Sequence, residues 1–410
     1  MAASFWRGAG HGPFSRAGVS LLGLSLVLFA LAAGVARLAA AKPRAADPAE
    51  DLDGQAIFRF DTFGDEQQWT DRLRMHEVIE TAVDPLTALE LGLKVDVDAM
   101  PNELIAALEA GLVDLTDPAT TVALIGLDAV VGVVGAVETI DGTDRLTRVG
   151  VTCALCHSTV DDSFAPGIGS RLDGWPNLDL DPGAIIAASP AVPPGAKAVY
   201  ASWGPGKYDP RFNIDGLSTP LVLPPAFGLA EVRKETYTGE GPVSYWNQYV
   251  AVTQMGGQGS FHDQRLGIKI NQKPDLVKHK LKPLREYQFS LRTPAPPAGS
   301  FDPAAAERGR VVFKGAGTCA KCHTPPLYTD VNRGVLHRPE ETGMDGAYAR
   351  RTTTKLYRTT PLRALWQHPP YFHDGSAATL RDVVDHYDSF LGLRLTEDQK
   401  RDLVEFLKAL

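Results

Sequence analysis

The chain has 410 residues, with 41 Lys and Arg against 49 Asp and Glu, and the formal charge is −8. Its composition is that of an ordinary globular protein. The charge balance carries no electrostatic footprint for nucleic acid and excludes that class of partner, although small basic patches for a protein partner stay compatible with it. The length suits two or three domains.

In chain order, Arg7 and Arg16 precede an uncharged, mostly apolar run from Ala17 to Ala36, which Arg37 and the small residues Ala39, Ala40 and Ala41 follow. This reads as a membrane-targeting segment. The run is long enough to cross a hydrocarbon core as a helix, whereas the Ala-rich end resembles a signal-peptidase site; the reading favours an uncleaved anchor over a signal peptide. Residues 42–53 follow as a Pro-, Ala- and acid-rich tether. From Asp65 the pattern is helical, with Trp69, Leu73, His76 and Ile79 at three- and four-residue steps, and His76 is expected to sit in that packing. Residues 102–112 give a second helix. Asp117 and Pro118 start a third, to about Leu127, with Asp as N-cap and Pro at the first position. The runs 130–137 and 145–152 around Asp141-Gly142 read as a hairpin.

That hairpin delivers the chain to Cys153-Ala154-Leu155-Cys156-His157, and the same form recurs at Cys319-Ala320-Lys321-Cys322-His323. Two thiols on one helical turn can add to the two vinyl groups of a porphyrin while the adjacent His reaches the iron, so each motif reads as a c-type haem attachment site. A zinc or redox Cys pair is the competing use. It leaves unexplained why the chain has four Cys in all, every one in such a pair, with a His directly after both pairs. The expectation is two covalently bound haems, on His157 and His323. No thiol then remains for a disulfide, and residues from about 45 onward are expected outside the cytoplasmic membrane, in the periplasm.

After His157 the chain is rich in Gly, Pro and Asp to Leu223, as loops that wrap a haem are. A Pro-rich stretch from Lys273 to Ser300 reads as an interdomain linker, with the boundary near 295. Asp302-Pro303 opens a helix through Phe313, Thr379 caps one through about Tyr387, and Thr396 with Gln399 forms a capping box on the last, whose apolar face is Leu403, Phe406, Leu407 and Leu410. The expected architecture is mainly α. It comprises a targeting segment (1–44), an N-terminal mixed region with helices and a hairpin (45–150), and two cytochrome c-like domains (151–295 and 296–410) with one covalent haem each.

At Thr360-Pro361-Leu362-Arg363 and Pro370-Tyr371-Phe372-His373-Asp374-Gly375, followed by Thr379-Leu380, the chain resembles the bacterial di-haem cytochrome c peroxidase and MauG family. The resemblance is close over the second domain and reaches the first only around its haem motif. It implies two facing haems, one relaying electrons and the other meeting peroxide. In the peroxidases a Met on the helix after His373 ligates the electron-transfer haem; here that position is Tyr387, the residue type found there in MauG. An anionic phenolate stabilises ferric and ferryl iron and lowers the potential. His386 or Met344 is the alternative ligand.

At the first haem, Trp175 matches a family Trp, but Asp173 stands where peroxidases needing reductive activation place a displaceable His. This implies an open iron, unless His262 fills the site. Trp246 resembles the Trp that lies between the haems in the family. The peroxidatic Glu that should follow it is missing, which leaves His262 and Asp263 for proton transfer. The family also places a Ca²⁺ between its domains, which implies backbone carbonyls of His368 and Pro370 as ligands with Asn213 as a side-chain ligand, and His373 is expected to orient a propionate or the interface.

The function that follows is a peroxidase-type oxidoreductase, in which electrons from a periplasmic donor such as a small cytochrome c or cupredoxin pass through the second haem to an open first haem that reduces hydrogen peroxide. A non-enzymatic electron-transfer cytochrome and an O₂-binding di-haem oxygenase are the alternatives.

Overall fold

The computed structural model describes residues 52–410. The targeting segment and most of the tether expected from the sequence lie outside them. Among the described residues, no helix is long and apolar enough to cross a membrane.

The fold is helix-rich, and among the described residues the strands form five two-stranded sheets. The longest is the expected hairpin, Val133–Ile140 against Thr143–Val151, antiparallel with a bulge between Ala136 and Val137. Asp141 and Gly142 both take positive φ, 51° and 78°, the geometry of a tight hairpin turn that matches strand twist. Asn102–Glu109 and Pro118–Gly126 are helices, the second capped by Asp117, whose side chain accepts from Ala119 N–H. The run after Asp65 is broken in two. Gln67–Arg72 is a short π-helix, Arg74 turns left-handed at φ 57°, and Met75–Ala82 resumes as an α-helix carrying His76. The first piece is held by the hairpin and by a later segment: Thr70 Oγ1 donates to Val149 O, and Trp69 Nε1 donates to Met255 O. These tertiary bonds fix it in a register that a single continuous helix would not keep.

Among the described residues two large apolar cores form, with a small third cluster of Leu221, Tyr348, Ala349 and Tyr357. One core runs from Ile57 to Leu284 and includes Leu146 and Val149 of the hairpin, Ala154 and Leu155 of the first motif, and Tyr249. The N-terminal region and the first haem motif thus share one core. The stretch expected as a linker contains a helix, Leu281–Ser290, which buries Leu284 and Gln288 and packs on Gly54–Phe60. The second core gathers Val312, Phe313, Leu380, Val384, Leu403 and Phe406. Its helices Pro303–Lys314 and Glu397–Lys408 cross at Gly309, where a Cβ would stand 1.9 Å from the Asp402 carbonyl oxygen, so only Gly permits the approach. Both caps are as expected: Asp302 accepts from Ala304 and Ala305, and Thr396 with Gln399 forms a capping box. The helix capped by Thr379 is longer than its periodicity suggested, Leu380–Leu391.

Segments around 206–240 and 330–375 interleave between these cores. Val222 N–H donates to His373 O at 2.8 Å and Arg358 N–H to Tyr237 O at 2.8 Å.

One buried charge in the first core makes a test of the packing. Asp65 is fully buried and accepts weakly from Val151 N–H, 3.3 Å from each carboxylate oxygen. Burial holds its carboxyl well above the usual range, and Glu66 adds to this. A carboxyl raised in the fold favours its neutral form. Its contribution is therefore complete below the ordinary carboxyl pKa and is lost as pH rises through the elevated one. Asp65→Asn is expected to raise the melting temperature at about pH 7.5 and to change it little at about pH 4. Calorimetry at the two pH values checks this, and equal shifts at both would contradict it.

Candidate functional site: two adjoining cavities

Each Cys-x-x-Cys-His motif opens onto its own cavity. The first motif lies on a single helical turn, Ala154–His157, anchored by Thr152 N–H to Gly132 O and by Asn177 N–H to Cys156 O. A Cβ on Gly132 would fall 2.1 Å from Leu155 N, and its φ is +79°, so both space and conformation demand Gly behind the motif. The second motif begins after Thr318, left-handed at φ 54°, in the 3-10 turn Cys319–Lys321.

The two imidazoles are set in the same way. His157 Nδ1 lies 3.0 Å from Pro224 O and His323 Nδ1 lies 3.0 Å from Tyr328 O. A carbonyl oxygen can only accept, so Nδ1 carries the hydrogen and the Nε2 lone pair is left free for a metal. Burial lowers both imidazole pKa values, which keeps the rings neutral and ready to ligate. No disulfide joins the four Cys, and each pair lines the cavity of its own His. The volumes are about 210 Å³ for the first cavity and about 440 Å³ for the second, and the linings are mostly apolar. Paired thiols, an oriented imidazole and an apolar slot fit a covalently attached haem.

The first cavity is covered by one face of the helix Val243–Thr253, through Val243, Trp246, Asn247 and Val250, with Gln254 and Met255 just beyond. Trp246 therefore lines this cavity, but it does not line the second. The residues that line both are Val222, Leu223, Pro225 and Tyr237. The two cavities share a wall, and its aromatic member is Tyr237, not the Trp246 expected from the sequence. Tyr237 belongs to a loop, where no periodicity marks a buried ring.

The expected proton-transfer pair lies elsewhere. His262 is exposed on the strand Ser260–Asp263, opposite Lys269, and lines neither cavity. Asp263 is held by Arg265 at 2.5 Å and accepts from Tyr245 Oη at 2.7 Å; the hydrogen bonds from Arg265 bring its pKa to about 2. Alternation along a strand turned His262 outward, which the sequence did not reveal. Asp173 is equally committed, to Arg59 at 2.5 Å, Ser158 Oγ at 2.8 Å and Tyr287 Oη at 2.5 Å, and lines neither cavity. Trp175 packs edge-on against Trp366, with centroids 5.8 Å apart.

The carboxyl that does line the first cavity is Glu235. It is buried, and its Oε2 has no hydrogen-bond partner. Burial raises its pKa. No sequence signal marks it, because Glu235 sits in a loop with no periodic neighbours and precedes Trp246 instead of following it.

In the second cavity Tyr387 lines the wall beside Leu380, Val383 and Val384, the apolar face expected for that helix. Burial pushes its phenol up to about 12. His386 points away. Its Nε2 meets Thr342 O at 2.9 Å, and its ring stacks on Phe390 with centroids 6.0 Å apart. Met344 also lines this cavity. Arg358 brings a buried cation to the same wall; its Nε has no partner, and desolvation lowers its pKa to about 10. His373 lines the cavity with Nε2 2.9 Å from Tyr357 Oη.

The three expected Ca²⁺ ligands divide between two places. His368 and Pro370 line the second cavity, whereas Asn213 donates to Thr253 O at 2.7 Å and accepts from Gln254 Nε2 at 3.1 Å. His76 lines neither cavity and sits 4.0 Å from Glu77.

Motif, imidazole tautomer and apolar slot together define a c-type cytochrome. Comparison with known proteins narrows the class. No family model matches the chain. Among curated proteins it is 30% identical over 131 residues to the methylamine utilization protein MauG of Methylorubrum extorquens, covering 26% of this chain and 35% of that protein. It is 32% identical over 151 residues to the cytochrome-c peroxidase IdrP1 of Denitromonas iodatirespirans, covering 26% of this chain and 40% of that protein. A solved hydrazine synthase of Kuenenia stuttgartiensis matches 48% of this chain and 74% of that chain, at 20% identity and a TM-score of 0.34. Over these stretches the chain is similar to MauG and to di-haem cytochrome c peroxidases, and it spans well under half of those relatives' own lengths.

Proposed function

We propose that the chain carries two covalent haems, in two cytochrome c-like domains, and acts as a periplasmic peroxidase-type oxidoreductase. In this reading electrons from a small cytochrome c or cupredoxin enter at the second haem and reach an open first haem, where hydrogen peroxide is reduced. The observation that carries the reading is the shared wall of Val222, Leu223, Pro225 and Tyr237: two cavities, each with its own attachment motif, are separated by a single layer of side chains.

When bound, a haem supplies an iron that exchanges single electrons and, at a free coordination position, polarises an O–O bond. The protein's part follows from its own residues. His157 and His323 present Nε2 to the metal, fixed by Pro224 and Tyr328. Trp246, Val250 and Met255 keep the first cavity apolar and exclude bulk water. The Glu235 carboxyl would take a proton from one peroxide oxygen and return it to the other, while the two protons consumed in forming two waters come from solvent; His262 and Asp263, which line neither cavity, are not placed for this role. Asn247 Nδ2 donates to Gln288 Oε1 at 2.8 Å, which closes the same wall with a satisfied amide pair. Tyr237 puts a polarisable ring in the wall that the two cavities share.

Glu235→Gln keeps the shape and removes the titrating group. It is expected to retain both haems and to consume peroxide about 100-fold more slowly with a reduced small cytochrome as donor. Stopped-flow absorbance measures both. A fully loaded wild-type protein that consumes no peroxide would refute the peroxidase reading, whereas unchanged turnover in Glu235→Gln would remove Glu235 from it.

A further inference from the structure

Arg351, beyond the second haem motif, reaches back to residues 209–219 of the first half of the chain, and its side chain is 5% exposed. Its Nε donates to Asp215 Oδ2 at 2.9 Å. One terminal nitrogen donates to Asp209 Oδ2 at 2.7 Å and to the Thr219 hydroxyl, and the other donates to Asp209 Oδ1 at 3.1 Å and to Asp215 Oδ1 at 2.8 Å. A guanidinium has five N–H groups, and these bonds use every one.

The acceptors are committed as well. Asp209 is buried and also accepts from Arg211 N–H at 2.9 Å and Thr219 N–H at 2.6 Å. Burial would raise the Asp215 carboxyl, but the bonds from Arg351 outweigh it and hold that carboxyl below its usual range. Beside them Arg211 pairs with Glu240 at 2.6 Å, and Glu240 accepts from Thr353 N–H at 3.0 Å, so a further carboxylate ties the same two segments together. The shared wall residues Val222 and Leu223 follow shortly after Thr219, which makes this clamp the support of that wall.

The resemblance to the di-haem peroxidases implied a different link between the halves, a Ca²⁺ on the carbonyls of His368 and Pro370 with Asn213. These residues do not form one oxygen cage. Asn213 spends its amide on Thr253 O and Gln254, while His368 and Pro370 lie at the second cavity. There the Lys207 side chain runs against the same turn. Its Cε is 3.2 Å, and Pro370 Cγ 3.0 Å, from the position that a Cβ on Gly375 would take. A lysine brought to that turn disfavours a dication.

We propose that Arg351 is the built-in cation that links the two halves in place of a bound Ca²⁺, so that the native protein needs none. The converse follows from the oxygens around it. Without Arg351, Asp209, Asp215 and Glu240 face Arg211 alone, and the four oxygens of the two aspartates with the Thr219 hydroxyl are the hard donors that Ca²⁺ takes. A buried carboxylate that has lost its partner is costly, and a dication relieves that cost. The proposal does not depend on the peroxidase reading.

Calcium itself is the probe, on the full-length ferric holoprotein. Wild type is expected to melt at the same temperature, with the same haem spectrum, in excess chelator and in about 10 mM Ca²⁺. Arg351→Ala should melt lower than wild type in chelator and regain about 5 °C in about 10 mM Ca²⁺, measured against NaCl of matched ionic strength. A wild type that melts several degrees lower in chelator than in Ca²⁺ overturns the proposal, and this arm decides alone if the variant fails to fold. An Arg351→Ala protein that gains nothing from Ca²⁺, or gains as much from NaCl, also overturns it.

Discussion

Replacing Cys153 and Cys156 together with Ser should lower the covalently bound haem from two per chain to one, and the same pair of changes at Cys319 and Cys322 should do likewise. Each thiol pair lines only the cavity of its own His, so neither pair can stand in for the other. The structural cost should differ between the two. The second cavity is the larger, about 440 Å³ against about 210 Å³, so more apolar wall loses its packing partner when its haem is absent. The Cys319 and Cys322 variant is therefore expected to be the less stable of the two. Haem-stained denaturing gels and haem-to-protein ratios check the stoichiometry, and thermal melts check the order. Full haem retention in either double variant would contradict the assignment of the motifs.

Tyr387→Phe should convert the low-spin ferric signal of the second haem to a high-spin or newly ligated one. It should also raise that haem's reduction potential by on the order of 100 mV. The phenol lies on the face of Leu380–Leu391 that lines the cavity, and burial alone pushes its pKa up to about 12. Only a metal cation at bonding distance would make it a phenolate at neutral pH. Phe keeps the ring and removes the oxygen. His386→Ala should leave the signal unchanged, because that imidazole is bonded to Thr342 O and stacked on Phe390. Met344 shares the cavity, so a signal that survives Tyr387→Phe and is lost in Met344→Leu would transfer the ligand role to the thioether.

What the sequence made legible follows a physical division. Local signals were readable: the Asp117-Pro118 and Asp302-Pro303 helix starts, the Thr396 capping box and the Asp141-Gly142 turn are all present. The face that turns Tyr387 inward and His386 outward was readable too, because the helical period fixes it. The polar side chains of the first cavity were not. Glu235, Tyr237 and Tyr348 sit in loops or a single helical turn and arrive there through contacts between distant segments, such as Arg358 N–H to Tyr237 O and Arg351 to Asp209. His262 misled for the converse reason. It looked suitable in residue type, and one strand step turned it to solvent. The helix inside the stretch 273–300 was masked by its flanking prolines, and its partner Gly54–Phe60 lies at the other end of the described chain.

The central claim is that two adjoining haems work as a pair, the first open and the second ligated on both faces. EPR of the ferric full-length protein, before and after one equivalent of hydrogen peroxide, tests it most directly. The expected result is one high-spin and one low-spin signal, with both diminished by the single equivalent because each haem gives up one electron. Two low-spin signals that peroxide leaves unchanged would contradict it and define instead a cytochrome that only carries electrons.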